Sequence, residues 1–210
     1  MTLYDITRSI SPTLAVWPGD TPYSANHLVR IADGASVNLT TLTLSAHTGT
    51  HADAYYHYEA EGAWPSHMPL HAYLGPAHVV STNKLDGPLY PDDFDPAQLN
   101  GVERLLIKSH VSSLPDDQWP VQFPYPAPAL IEYLAARGCV LIGLDSPSFD
   151  DLNSKDLPGH HALFRAGMAN LETLYLRDVP DGDYELIALP LRLEGACGSP
   201  VRAVLRAPHR

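Results

Sequence analysis

His47-Thr48-Gly49-Thr50-His51-Ala52-Asp53-Ala54-Tyr55-Tyr56-His57 places three imidazoles and a carboxylate within eleven residues. Imidazole and carboxylate are the donors that suit zinc and similar divalent ions. His51 and Asp53 are two apart, so an extended backbone points both side chains to the same side. Gly49 permits a tight turn that brings His47 back beside them. The spacing predicts three groups converging on one cation, with His57 left for another role. Immediately upstream, Leu42, Leu44 and Ala46 alternate with Thr41, Thr43, Ser45 and His47. That period of two predicts a strand over residues 38–46 with one apolar side and His47 at its polar-side end. The helical zincin pattern His-Glu-x-x-His is absent.

Outward from this stretch, strand and helix signals are mixed. Tyr4–Ile10 reads as a short strand ended by Ser11-Pro12, and Trp17-Pro18-Gly19-Asp20 is turn chemistry. The segment 55–75, rich in aromatics, Pro and His, predicts a long excursion with one helical turn at 70–74. Strands follow at 78–81 and 104–109, around a loop with a short helix at 90–101. Leu130, Ile131, Leu134 and Ala135 form a helical stripe over 128–137, closed by Gly138. The apolar run 139–144 suits a strand buried on both faces. A helix over 158–167 and strands at 174–176, 184–189 and 201–205 complete a mixed α/β chain, read as a single domain over 1–210.

Composition narrows the function classes. The 210 residues carry 13 Lys and Arg against 24 Asp and Glu, for a net charge of -11. Such a surface repels phosphate backbones, so no nucleic-acid partner is expected. No stretch approaches the roughly 18 apolar residues of a membrane span. The start, Met1 to Arg8, lacks the basic and apolar regions of a secretory signal. With two cysteines, Cys139 and Cys197, a disulfide scaffold is out of reach, and a reducing cytoplasmic setting is expected.

The run His47–His57 resembles the His-x-Gly-Thr-His-x-Asp-x-Pro-x-His motif of the metal-dependent cyclase superfamily. That superfamily includes bacterial kynurenine formamidases, the nearest likeness, and isatin hydrolases. Trp17-Pro-Gly-Asp20, Pro69-Leu-His-Ala-Tyr-Leu-Gly-Pro76, Leu144-Asp-Ser-Pro-Ser148 with Ser154-Lys155, and Gly198-Ser-Pro-Val-Arg-Ala-Val-Leu205 are similar to other segments of the same family. The resemblance implies a swivelling β/β/α domain assembling as a homodimer. It also implies two divalent ions per subunit, zinc first, with manganese, iron or cobalt compatible with the same donors. His47, His51 and Asp53 would hold one ion, Asp53 would also reach the second, His160 would bind the second, and Glu172 would lie across both. The last two are carried over from His160-His-Ala-Leu-Phe164 and Asn170-Leu-Glu172, with the adjacent His161 as the rival to His160. His57 matches the family's proton donor and acceptor, and Trp17 a substrate-contacting aromatic. Two departures stand out: Tyr55 where the family has Pro, and Cys197 where it often has Asp. Cys197 is distant from the ligands in sequence and is read as structural.

The chemistry that follows is amide hydrolysis. Water beside a divalent cation has its pKa lowered from about 15.7 to about 7, which supplies a bridging hydroxide to attack a formyl amide. His57, with an ordinary pKa near 6.5, suits proton transfer to the leaving nitrogen. No Gly-x-Ser-x-Gly elbow is present to offer a different nucleophile. The implied substrate is N-formyl-L-kynurenine, cleaved to L-kynurenine and formate, with Trp17 stacked on its ring. The alternatives are a related hydrolase acting on a cyclic amide such as isatin, an ester or a lactone, and a metal-binding protein without catalysis.

Overall fold

The apolar run before residue 145 becomes an interior strand of the main sheet, as its two-sided hydrophobicity requires. A computed structural model, which describes residues 2–208, shows Leu141–Leu144 buried at every position. The single domain expected over 1–210 also takes in Met1, His209 and Arg210, which lie outside the described residues.

In chain order the strands are β1 (Leu3–Asp5), β2 (Ser24–Val29), β3 (Leu39–Thr43), β4 (His51–Asp53), β5 (Leu74–Ser81), β6 (Gly87–Leu89) and β7 (Arg104–Lys108). They continue as β8 (Pro124–Pro126), β9 (Leu141–Leu144), β10 (Ala169–Leu171), β11 (Gly182–Ile187), β12 (Gly198–Pro200) and β13 (Val204–Arg206). The α-helices are α1 (Pro96–Leu99), α2 (Pro128–Ala135) and α3 (Pro158–Ala166). Seven strands form one sheet in the order β1-β13-β11-β5-β7-β9-β10. Pairing is antiparallel from β1 to β5 and parallel from β5 to β10.

Alternation along the central strands divides the core between two faces. Val80, Leu105, Ile107, Ile142 and Leu144 pack with Leu130, Ile131 and Leu134 of α2 and Ala162 and Leu163 of α3. Val79, Leu106, Leu141, Leu171 and Leu186 pack on the other side with Ala52 of β4, Met68 and Tyr73. The β4–β12 ribbon therefore lies against the face opposite the helices. Arg104, itself buried, donates to the carbonyls of His71, Ala72 and Pro76 at 2.6, 2.8 and 3.0 Å. These bonds pin the short 3-10 turn Leu70–Tyr73 that leads into β5.

Three sequence expectations change. The alternating segment 38–46 forms β3 only over Leu39–Thr43, and it pairs with β2 in a two-stranded hairpin whose residues are all exposed. Its apolar side therefore faces away from the core: Leu42 is 55% exposed. Leu174–Leu176 is buried but irregular, because its amides are satisfied singly by Leu144, Ile6 and Ser112 and not by a ladder. The segment 201–205 divides between an irregular stretch and β13, while β12 and β10 are strands that the hydrophobic pattern did not mark.

Candidate metal centre

His51 and Asp53 are the two end residues of β4, and the alternation that puts Ala52 into the core turns both to the opposite side. Backbone bonds between His51 and Glu172, 3.3 and 3.0 Å in the two directions, place Glu172 directly across from this strand. His47 precedes β4 in a turn that Gly49 closes at φ +65. His160 comes from the first turn of α3, after Pro158 and Gly159.

The five side chains meet. Nδ1 of His47 and Nε2 of His51 lie 3.0 and 3.3 Å from Oδ1 of Asp53. Nε2 of His160 lies 3.5 Å from the other oxygen of Asp53 and 3.4 Å from Oε1 of Glu172. Nε2 of His51 is 3.5 Å from Oε2 of Glu172, which joins the two groups. His47–His51–Asp53 and Asp53–His160–Glu172 are thus two triplets sharing one carboxylate, each compact enough to hold an ion. All but the partly covered His47 are buried.

The polar atoms themselves fit a cation. His51 Nε2, Asp53 Oδ1 and Glu172 Oε1 are buried without a hydrogen-bond partner. Buried polar groups are normally satisfied, and an orphan cluster of nitrogen and oxygen lone pairs matches the preference of zinc-like ions. Neighbours orient the donors. His51 Nδ1 donates to the Gly49 carbonyl at 2.9 Å, and His160 Nδ1 to Asp150 at 2.7 Å, which leaves each Nε2 aimed inward. Asn170 donates to Asp53 at 2.7 Å.

In this protonated cluster, burial works against charge on His47, but Asp53 and Cys197 outweigh it and raise the imidazole to about 10. Burial likewise disfavours the Asp53 carboxylate, yet His160, His47 and His51 hold it well below the ordinary carboxylate range. His160 is desolvated too, and Asp150, Asp53 and Glu172 still push it well above a normal histidine.

The rival His161 points elsewhere: its Nδ1 lies 2.9 Å from Glu59, outside the cluster. His57 is exposed, with its ring 4.1 Å from that of His47. A cavity of about 250 Å³ opens over the donors, with His47, His51, His57, His160 and Glu172 on its walls. Trp17 lines it as well, edge-on to Trp119 at 5.6 Å. Tyr55 packs away from the cavity, against Phe164 and with its hydroxyl on the Met168 carbonyl, and Tyr56 packs on Trp64.

Sequence reasoning missed Asp150, Asn170 and Trp119, and it read Cys197 as structural only. Though distant in sequence, the Cys197 Sγ lies 3.0 Å from His47 Nε2. Hydrogen bonding from His47 and His57 lowers this thiol to about 6 despite partial burial. The pairing of Gly198 with Asp53 explains the proximity, because it carries residue 197 to the open end of β4.

Seven strands with helices on one face, and two donor triplets sharing an aspartate, define a hydrolase-type metal centre on a cyclase-like fold. The chain belongs to the family described as Putative cyclase, whose pattern matches residues 4–151. It is 47% identical over 209 residues to a kynurenine formamidase of Salinibacter ruber, covering 98% of both chains. A solved structure titled as a potential metal-dependent hydrolase with cyclase activity is 28% identical, with 99% of each chain covered and a TM-score of 0.82. An isatin hydrolase bound to thioisatinate superposes with a TM-score of 0.84 over 99% of this chain and 92% of its own, at 22% identity, a likeness of fold alone.

Proposed function

We propose that this chain is a metal-dependent amidase that hydrolyses N-formyl-L-kynurenine to L-kynurenine and formate, using two zinc ions. The observation that carries the reading is the pair of donor triplets around Asp53, set beside an exposed histidine on the wall of one cavity. The 47% identity to a kynurenine formamidase supplies the substrate.

His47, His51 and Asp53 would hold one ion and His160 the other, with Asp53 and Glu172 shared between them. Divalent ions held there would supply a nucleophile at neutral pH and polarise the formyl carbonyl. The chain's own residues do the rest. Asp150 and the Gly49 carbonyl hold the imidazoles of His160 and His51 in the tautomer that presents Nε2 to the centre. His57, free of burial and flanking the donors, accepts a proton and returns it to the departing aniline nitrogen. Trp17 and Trp119 form an aromatic wall for the substrate ring, a contact worth about 0.5–1.5 kcal/mol beyond burial.

The whole described chain serves this one site as a single domain, since both core faces share the seven-stranded sheet. The exposed β2–β3 hairpin, with Leu28, Val29, Leu39 and Leu42 on its surface, suits a homodimer in which a second copy covers it. No helix among the described residues is long and apolar enough to cross a membrane. Two free cysteines suit a reducing cytoplasm.

The test is metal analysis of protein purified without chelator, together with formate release from N-formyl-L-kynurenine and ring opening of isatin. Two equivalents of metal with preferential formate release support the reading. Metal without turnover of the formyl substrate, or preference for isatin, overturns the substrate assignment.

A further inference from the structure

His47 shows a different nitrogen to each of two donor sets. Its Nδ1 faces Asp53 at 3.0 Å, within the triplet completed by His51. Its Nε2 faces the Cys197 Sγ at 3.0 Å, and ligand atoms of His47, His57 and Cys197 all lie within 4.8 Å of one another. The first set offers nitrogen and oxygen. The second offers two nitrogens and a sulfur, the combination that selects zinc, cadmium and other thiophilic ions over manganese or magnesium.

This second set is built on rigid backbone. The Cys197 carbonyl accepts the Ala54 amide at 3.0 Å, and the next residue, Gly198, pairs with Asp53 at the end of β4. Gly198 also keeps the approach open: a Cβ there would sit 3.0 Å from Cε1 of His47. His57 stands on the outer side, its ring 4.1 Å from that of His47 and exposed to solvent.

We propose that His47 Nε2, a ring nitrogen of His57 and the Cys197 sulfur form a distinct position for a thiophilic divalent cation, and that filling it stops turnover. The ion takes Cys197 as a thiolate and His47, whose Nδ1 serves the first position, as an imidazolate, so the Sγ and Nε2 protons both leave to solvent with no change of oxidation state. Zinc in excess and cadmium are the cations this donor set accepts. Inhibition follows because His57 gives up to the ion the lone pair it needs to carry a proton. That last step rests on the role given to His57 under the amidase reading, whereas the binding step does not.

The experiment separates the two. Protein loaded with manganese, which thiolates bind weakly, is titrated with cadmium while the ultraviolet thiolate-to-cadmium charge-transfer band is followed without substrate. A saturable band is expected in the wild type and in Cys139→Ala, whose cysteine is buried in the core, and no band in Cys197→Ser or Cys197→Ala. His57→Gln should weaken cadmium binding by about tenfold or more. Formate release should fall with the same midpoint as the band rises. Absence of the band in the wild type, its persistence in a folded Cys197 variant, or unchanged affinity in His57→Gln overturns the site. A normal band in a protein inert toward N-formyl-L-kynurenine would instead overturn the substrate assignment alone.

Discussion

Asp150 controls which nitrogen of His160 carries a proton, and replacing it should weaken the second metal position. The carboxylate accepts three hydrogen bonds at the start of α3: from the Gly159 amide at 2.7 Å, the His160 amide at 3.1 Å and His160 Nδ1 at 2.7 Å. A carboxylate only accepts, so Nδ1 must be the protonated nitrogen, and Nε2 is left to face Asp53 and Glu172. In Asp150→Asn, the amide oxygen can keep both His160 bonds, and the NH2 group then confronts one donor, the Gly159 N–H.

The tautomer is kept, but a neutral amide in place of the carboxylate lowers the basicity of the imidazole as a ligand, and the conflict at Gly159 stays. A hydrogen bond to a charged group contributes about 1.5–3 kcal/mol net, and that is the stability loss expected for metal-free Asp150→Asn in urea unfolding. Affinity at the second position should fall about 10–100-fold, the range seen when a partner of a metal-bound histidine is removed. Asp150→Ala gives the discriminating comparison. It forfeits all three bonds and leaves no acceptor to hold the proton on Nδ1. Alanine should therefore harm both metal binding and stability more than asparagine does. Equilibrium dialysis with metal analysis reads the first quantity. Two ions bound by Asp150→Ala at wild-type affinity would refute the tautomer argument.

Gly159→Ala should act on the same helix by force, since its Cβ would lie 2.2 Å from the Phe149 carbonyl oxygen. We expect a loss of about 1–3 kcal/mol in urea unfolding, together with weaker binding at the His160 position. In the proposed homodimer, Leu42→Asp should yield monomers in light scattering, because each buried leucine contributes about 1.5–3 kcal/mol. An unchanged mass would exclude the β2–β3 hairpin from the interface. At Asp181, burial raises the carboxyl, but the Ser81 hydroxyl and amide, with Lys108, outweigh it and lower the native pKa below 3.8. Its stabilisation is complete above that unfolded value and is lost as pH falls through the lower native one. Asp181→Asn should thus be less stable than wild type at neutral pH, with the melting curves converging on acidification.

How far the site was legible follows from the range of its contacts. His47, His51, Asp53 and His57 were readable because β4 turns a spacing of two into a shared side, and one glycine supplies the return of His47. His160 and Glu172 needed the family resemblance, since only the bridge between His51 and Glu172 and the placement of α3 bring them near. Cys197 lies 150 residues from His47, and Asn170 lies 117 from Asp53, so no local pattern could connect them. The failure at residues 38–46 has another cause. An alternating strand has an apolar side whether a core or a partner covers it, and the period says nothing about which. Here neither sheet face receives it, so the leucines remain on a projecting hairpin.

The proton content of the centre leads to a last expectation about stability. Without cations, protons neutralise the cluster: His47 is raised to about 10, after Asp53 and Cys197 overcome the cost of burial. A histidine whose native pKa exceeds its unfolded value of 6.5 stabilises the fold fully below 6.5, and that contribution is lost as pH rises through about 10. Cations bind the same donors only after displacing those protons, so their grip strengthens over the same interval. Chelated protein should remain folded, because the core on both faces of the seven-stranded sheet does not depend on the centre. Its melting temperature should nevertheless fall away from that of the loaded protein as pH rises from 6.5 toward 10. Binding at about 100 times the dissociation constant adds about 2.7 kcal/mol, enough to read by calorimetry. If the two melting curves run parallel across this range, protons and cations do not compete for His47, and the donor assignment at the first position fails.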